Sequence, residues 1–398
     1  MIPPQVAAES ELLLLCARTQ LDNQQTDRLR KLIQQELNWE YFYNVARRHS
    51  LVPLVYRRLE LAAKEADCPE VLRQFRKGYR ENAARNLILT RELVSLIRDL
   101  KQIGIEAVPF KGPALALAAY KDSSLRRYID LDLIVRRRDI TRARDLLITR
   151  GYSAGKNWDQ RQESVLLNAQ HNIQFSRDEG QFIVELHWRV ATQLFAASLN
   201  AEDFWPNLKT MALENITVKT LSTEDLLFSL CVHGSRHLWE RLSWICDVAE
   251  LISVSPEIEW EPFLQRAQET ETERMLLLGL HLAASVGGVS LPSHIATMIA
   301  ADRAVLRLAD RIVQRLLNGI EHVPATKREI FRFNLAVRRR WNSRLRYCLY
   351  ALGPSDSDVQ VFSVPRFLNF AYYLIRPFRL VGQQHPGKSI GSDWSSKT

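Results

Sequence analysis

Apolar positions recur every three or four residues through the first hundred positions, marking helices over Thr26 to Leu37, Trp39 to His49 and Pro69 to Leu100, where glycine is scarce. The period then changes. Ile105 to Phe110 is a short apolar run closed by Lys111-Gly112-Pro113 and followed by the alanine-rich Ala114 to Tyr120, a strand, glycine turn and helix. Tyr128 to Val135 alternates and then runs apolar, a second strand, and Asp139 to Arg150 is a helix stopped at Gly151. Asn172 to Ser176 and Phe182 to Trp188, on either side of Asp178-Glu179-Gly180, read as an antiparallel hairpin. Helical periodicity returns from Ser222 through Leu251, over Glu261 to Val286 and over Ala301 to Leu317. The expected organisation is a helical region over 1–102, an α/β core over 103–200 and a helical domain over 201–320. Residues 321–398 form a basic, aromatic-rich helical region with a flexible end.

With 398 residues, 46% hydrophobic and 25% charged, the chain can bury several cores, which excludes disordered and collagen-like classes. Five scattered cysteines (Cys16, Cys68, Cys231, Cys246, Cys348) include no C-x-x-C pair, so neither a zinc ribbon nor a secreted disulfide framework is expected. Leu12 to Ala17 is too short for a signal peptide core and follows Glu9 and Glu11. Met275 to Leu291 is too short and too polar to span a bilayer. A cytoplasmic protein without a transmembrane segment is the expectation. The net charge of +9 is concentrated at one end, because from Glu321 onward 13 Lys and Arg face five Asp and Glu. There arginines interleave with aromatics, as in Arg338-Arg339-Arg340-Trp341 and over Val364 to Leu380. That mixture suits a solvated helix face beside an aromatic core, or contact of 321–380 with an anionic surface: a membrane's inner face, a nucleic acid or an acidic partner.

The chemistry concentrates in Asp130-Leu131-Asp132. Side chains alternate along a strand, so both carboxylates share one face while Ile129, Leu131 and Leu133 share the other. Adjacent carboxylates repel, and a divalent cation relieves them; hard oxygen ligands favour Mg²⁺ bound together with phosphates. Glu185, between Val184 and Leu186 on the hairpin's second strand, is the candidate third ligand, and His187 the candidate hydrogen-bond partner of a carboxylate. Two metals on three carboxylates would clamp an in-line attack at phosphorus. Lys111-Gly112 opens a helix, where backbone N–H groups and the lysine meet an anion, and Arg126 and Arg127 are placed to cover the same phosphates. Downstream, His233 to Asp247 reads as one helical segment with His233 and His237 on a shared face. Without an H-E-x-x-H pattern it suits a nucleotide better than zinc, through His237, Arg241, Trp244 and Asp247, or it is a helix packed on the core.

Lys111-Gly112, Arg127 to Ile134 with its D-L-D, Gly151-Tyr152 and Val184 to Trp188 together resemble the bacterial uncharacterised nucleotidyltransferase family of the DNA polymerase β-like superfamily. The likeness extends to His49 through Leu59 and Ser222 through Leu251. The resemblance implies an α+β fold: a minimal nucleotidyltransferase core, a small mixed sheet with flanking helices, embedded between helical N- and C-terminal regions. It implies metal on Asp130, Asp132 and Glu185, two Mg²⁺ with Mn²⁺ as substitute. The nucleoside triphosphate would be ATP, bound by Lys111, Gly112, Arg126, Arg127, His237, Arg241, Trp244 and Asp247. The function implied is transfer of a nucleoside monophosphate to an acceptor hydroxyl or phosphate. The alternatives are a non-catalytic, toxin–antitoxin-like nucleotide-binding regulator or an RNA-modifying transferase. The wider superfamily follows its first glycine with serine or glycine; here Lys111-Gly112-Pro113 leaves the lysine to take the hydroxyl's place on the phosphates.

Overall fold

The computed structural model describes residues 4–63, 69–154, 167, 170–190, 201–317 and 324–352. It divides into two compact units, residues 1–321 and 322–398.

The first unit opens with five helices, α1 (Pro4–Cys16), α2 (Asn23–Ile33), α3 (Trp39–Arg48), α4 (Val52–Ala63) and the 34-residue α5 (Pro69–Gln102). Capping residues set their starts: the Asp22 carboxylate accepts from the Gln25 N–H, and the Asn38 side chain from the Tyr41 N–H. A five-stranded mixed sheet follows, built from β1 (Val108–Pro109), β2 (Leu131–Ile134), β3 (Ser153–Ala154), β4 (Asn172–Arg177) and β5 (Phe182–His187) in the order β1-β2-β5-β4-β3. Only β2 and β5 run parallel; the other neighbours are antiparallel. Helices α6 (Gly112–Tyr120) and α7 (Ile140–Thr149) connect these strands. The α+β class expected from the sequence is the class found.

Alternation explains which face carries what. Leu131 and Leu133 of β2, with Val184 and Leu186 of β5, are fully buried in one core with Leu93, Ile97 and Leu100 of α5. Each such side chain contributes about 1.5–3 kcal/mol on burial. The parallel register sets Asp132 beside Glu185 and Ile134 beside His187, so fixing the leucines on the core face turns both carboxylates to the other.

Beyond the sheet, β6 (Lys209–Leu213) and β7 (Ile216–Thr220) form a separate hairpin, an element absent from the helical reading of 201–320. Among the described residues six further helices follow: α8 (Thr223–Arg236), α9 (Leu242–Ser253), α10 (Trp260–Glu269), α11 (Glu273–Ser285), α12 (Ser293–Ala301) and α13 (Arg303–Leu317). The segment read as one helix from His233 to Asp247 is two. Leu238 and Trp239 take left-handed backbone angles, with φ of 54° and 53°, because the chain must turn for the Trp239 indole to lie fully buried on Gly234. The run from Glu261 to Val286 breaks likewise at Glu271, with φ of 58°. Arg18 Nη2 donates to the Val286 carbonyl at 3.0 Å and the Thr19 N–H to Glu250 at 2.8 Å, tying the leading helices to α9 and α11.

In the second unit, α14 (Lys327–Ala336) and α15 (Trp341–Leu352) pack beside each other, with the Arg338 guanidinium buried over the Tyr347 ring. Trp341, Leu345 and Leu349 of α15 are exposed. The arginine and aromatic tract Val364 to Leu380, within the 321–380 segment expected to meet an anionic surface, lies outside the described residues, as does Cys68. Cys16, Cys231, Cys246 and Cys348 are free thiols. Among the described residues no helix is long and apolar enough to cross a membrane.

Candidate active site

Three side chains meet on the polar face of the sheet. Asp132 of β2 and Glu185 and His187 of β5 bring one ligand atom each within 4.8 Å of the others. His187 Nε2 lies 3.1 Å from Asp132 Oδ1 and 3.2 Å from Glu185 Oε2, bridging the two carboxylates. Lys111 Nζ reaches the same Asp132 oxygen at 3.2 Å, and the Asn172 amide donates to Glu185 Oε2 at 2.7 Å. Burial alone would raise the Asp132 carboxyl, but the Lys111 charge and His187 hold it well below the usual carboxylate range. Burial likewise opposes the charged imidazole of His187, yet its bonds to Asp132 and Glu185 raise it.

Asp130 precedes the strand by one residue and stands beside this trio. Burial raises its carboxyl, and the charges of Asp132 and Glu185 raise it further, against Lys111 and Arg126. Three carboxylates therefore share one field. The compact donor cluster, however, has His187 where the sequence reading has Asp130. The imidazole keeps a buried Nδ1 without a hydrogen-bond partner.

The turn before α6 faces the same place. Gly112 has φ of 52°, and a Cβ there would stand 3.2 Å from the Asp130 carbonyl oxygen, so glycine suits the close approach of the helix start to the Asp130 backbone. Lys111 precedes it in extended conformation and lays its ammonium 5.1 Å from the Phe110 ring centroid on the way to Asp132. The loop before β2 is held from α5: Asn82 Nδ2 donates to the Ser124 carbonyl at 2.8 Å, and Asn86 Nδ2 to those of Ser123 and Arg126 at 2.6 and 2.8 Å.

Arg126 and Asp247, both expected at the nucleotide, are joined to each other. Arg126 Nε and Nη2 donate to the two Asp247 oxygens at 2.9 and 3.0 Å, and the Tyr120 hydroxyl donates to Oδ1 at 2.9 Å. Arg127 and Arg241 line a cavity next to this pair. His237 and Trp244 form an aromatic group with His233, ring centroids 4.6 to 5.5 Å apart. Burial, then Arg236, Lys111 and Arg241, hold His237 down to about 3, and His233 is also held low, so both imidazoles are neutral near pH 7. The sequence reading did not include His171, whose ring meets Arg236 and stands 6.0 Å from His187. Nor did it include Asn172, although the hairpin register, which pairs Asn172 with His187, held the signal for it.

Carboxylates crowded on one strand pair, a lysine and glycine at a helix start, and neutral aromatic rings nearby can together hold a metal-bound phosphate chain. A family model described as uncharacterised nucleotidyltransferase matches residues 35–288, more than half of the chain, a range that includes Lys111, Asp130, Asp132, Glu185, His187 and Asp247. No curated protein matches it.

Proposed function

Because the chain belongs to the uncharacterised nucleotidyltransferase family, we propose that it moves a nucleoside monophosphate from a nucleoside triphosphate, ATP being the expected donor, to an acceptor hydroxyl or phosphate. The reaction depends on Mg²⁺, with Mn²⁺ as substitute. The observation that carries this reading is the convergence of Asp132, Glu185 and His187 within 4.8 Å, with Asp130 raised first by burial and then by the same carboxylates.

The donor set fits a hard dication. Asp130, Asp132 and Glu185 offer oxygen atoms whose mutual repulsion a divalent charge relieves. These three residues would hold the metal, which when bound supplies charge neutralisation to an in-line displacement at phosphorus. The chain's own groups then have separable tasks. His187 orients both carboxylates through Nε2, as hydrogen-bond partners of ligands do. Lys111 and the Gly112 turn receive the phosphates at the positive end of α6. The neutral rings of His237 and Trp244 offer a stacking wall for the base. Arg126 is held on Asp247, while Lys111 places its ammonium 3.2 Å from Asp132 Oδ1.

One observation favours a non-catalytic nucleotide-binding alternative: Lys111 and His187 both engage Asp132 Oδ1 and balance its charge without a metal. Titration with a non-hydrolysable triphosphate, with Mg²⁺ and with chelator, tests the metal-dependent site. Binding should require Mg²⁺ and be lost in Asp132→Asn. Binding that is absent, or indifferent to both metal and Asp132, refutes it, and metal-dependent binding without turnover selects the alternative.

A further inference from the structure

A cavity of about 50 Å³ lies between Arg126, Arg127 and Arg241, closed by Ser50, Ser243 and Asp247. At roughly 10–15 Å³ per water, it has room for a few waters or one compact oxyanion. Its charge is unbalanced, with three guanidiniums facing one carboxylate. Asp247 is occupied by Arg126 Nε and Nη2, and Arg126 Nη1 is buried without any hydrogen-bond partner. Arg241 donates to the Ser50 hydroxyl at 3.3 Å, stands 6.0 Å from the Trp244 ring centroid, and has the charges of Asp130 and Glu240 as its acidic neighbours. Arg127 has crowding and more cations for neighbours: burial lowers its pKa first, then Arg241, Arg85 and Arg47, with only the Tyr43 phenol opposing. Arginine forks placed this way match the planar oxygen edges of phosphate. A phosphate monoester, carrying about −1.5 to −2 near neutral pH, is opposite in sign to this cluster of guanidiniums.

Position separates this cavity from the donor's phosphates. Gly112 begins α6 beside Asp130, whereas Tyr120, its last residue, lines the cavity; eight helical rises put the two ends about 12 Å apart. Arg241 connects them, since it lines the cavity and feels the Asp130 charge. We propose that the cavity is the subsite for a phosphate group carried by the acceptor, bound by Arg127 and Arg241 so that the rest of the acceptor reaches the carboxylates. This rests on the nucleotidyl transfer proposed above. The substrate class it assigns is a small phosphate monoester.

The test titrates the full chain with inorganic phosphate by calorimetry after the donor site has been filled with a non-hydrolysable triphosphate and Mg²⁺. Wild type should bind one phosphate. Arg127→Gln should weaken that binding about tenfold to a hundredfold, the loss of one charge-assisted pair, and should weaken triphosphate binding far less. Arg85→Gln, on the exposed face of α5, should weaken it less. A loaded wild type that binds no phosphate overturns the subsite alone. So does an Arg127→Gln variant whose triphosphate affinity falls as far as its phosphate affinity, because the cavity then belongs to the donor. A wild type that takes up no triphosphate overturns the transfer reading, and the subsite with it.

Discussion

Replacing Lys111 with methionine separates two roles the structure gives one side chain. The ammonium lies 3.2 Å from Asp132 Oδ1, with the lysine side chain 14% and the aspartate 3% exposed. Removing one partner of a fully buried ion pair costs about 3–5 kcal/mol. Two features reduce that here: the lysine keeps some contact with water, and His187 remains 3.1 Å from the same oxygen. Lys111→Met should therefore destabilise the metal-free protein by about 2 kcal/mol, read as a lower urea midpoint at unchanged slope. The same change removes the ammonium that competes with a cation for Asp132, so Mg²⁺ should stabilise the variant more than it stabilises wild type. Triphosphate binding should still weaken, by about 1.5–3 kcal/mol, because a charge-assisted contact to phosphate is lost. Three readings thus move in set directions. A variant with wild-type stability, wild-type response to Mg²⁺ and wild-type triphosphate affinity would show that Lys111 only closes its strand, and would refute the reasoning.

Gly112→Ala places a Cβ 3.2 Å from the Asp130 carbonyl at a left-handed backbone position; it should cost about 1–2 kcal/mol in urea denaturation, and an unchanged midpoint would remove the requirement for glycine. Asp247→Ala strands the buried Arg126 guanidinium and should cost about 3–5 kcal/mol, whereas Tyr120→Phe removes one hydrogen bond for about 0.5–1.5 kcal/mol; equal losses would show that the ion pair is not what holds α9 to the core. His237 is lowered to about 3, chiefly by burial. A histidine lowered on folding gives stability that is complete above its unfolded value near 6.5 and is lost as pH falls toward 3. Metal-free wild type should lose stability over that window more steeply than His237→Gln, and parallel profiles would show that the ring does not titrate with unfolding.

The polar face of the sheet was legible because period-2 alternation fixes it. Once Leu131 and Leu133 are assigned to the core, Asp132 must face away, and Glu185 between Val184 and Leu186 obeys the same rule. What alternation cannot supply is partnership across the chain. Arg126 and Asp247 are 121 positions apart, and nothing local distinguishes an arginine that meets a phosphate from one that meets an aspartate. The break between α8 and α9 was hidden for a related reason. Leu238 and Trp239 continue the apolar pattern of a helix, and it is the space over Gly234 that draws the indole into a turn. The hairpin of β6 and β7 is short and half exposed, and its alternation over five residues per strand is weak against the strong helical signal after Ser222. His187 was legible as a partner of carboxylates; that it bridges two of them follows from the parallel register of β2 and β5, which the sequence does not state.

The central claim, transfer of a nucleoside monophosphate, is tested most directly by following two labels of one donor. Full-length protein is incubated with Mg²⁺, a cell lysate as acceptor source, and each nucleoside triphosphate carrying label at the α or the γ phosphorus, and products are resolved by mass spectrometry. The account predicts that one acceptor gains the mass of a nucleoside monophosphate with the α label, that the γ label leaves in pyrophosphate, and that both signals vanish in Asp132→Asn. A γ label on the acceptor, or an α-labelled product that persists in Asp132→Asn, would contradict it.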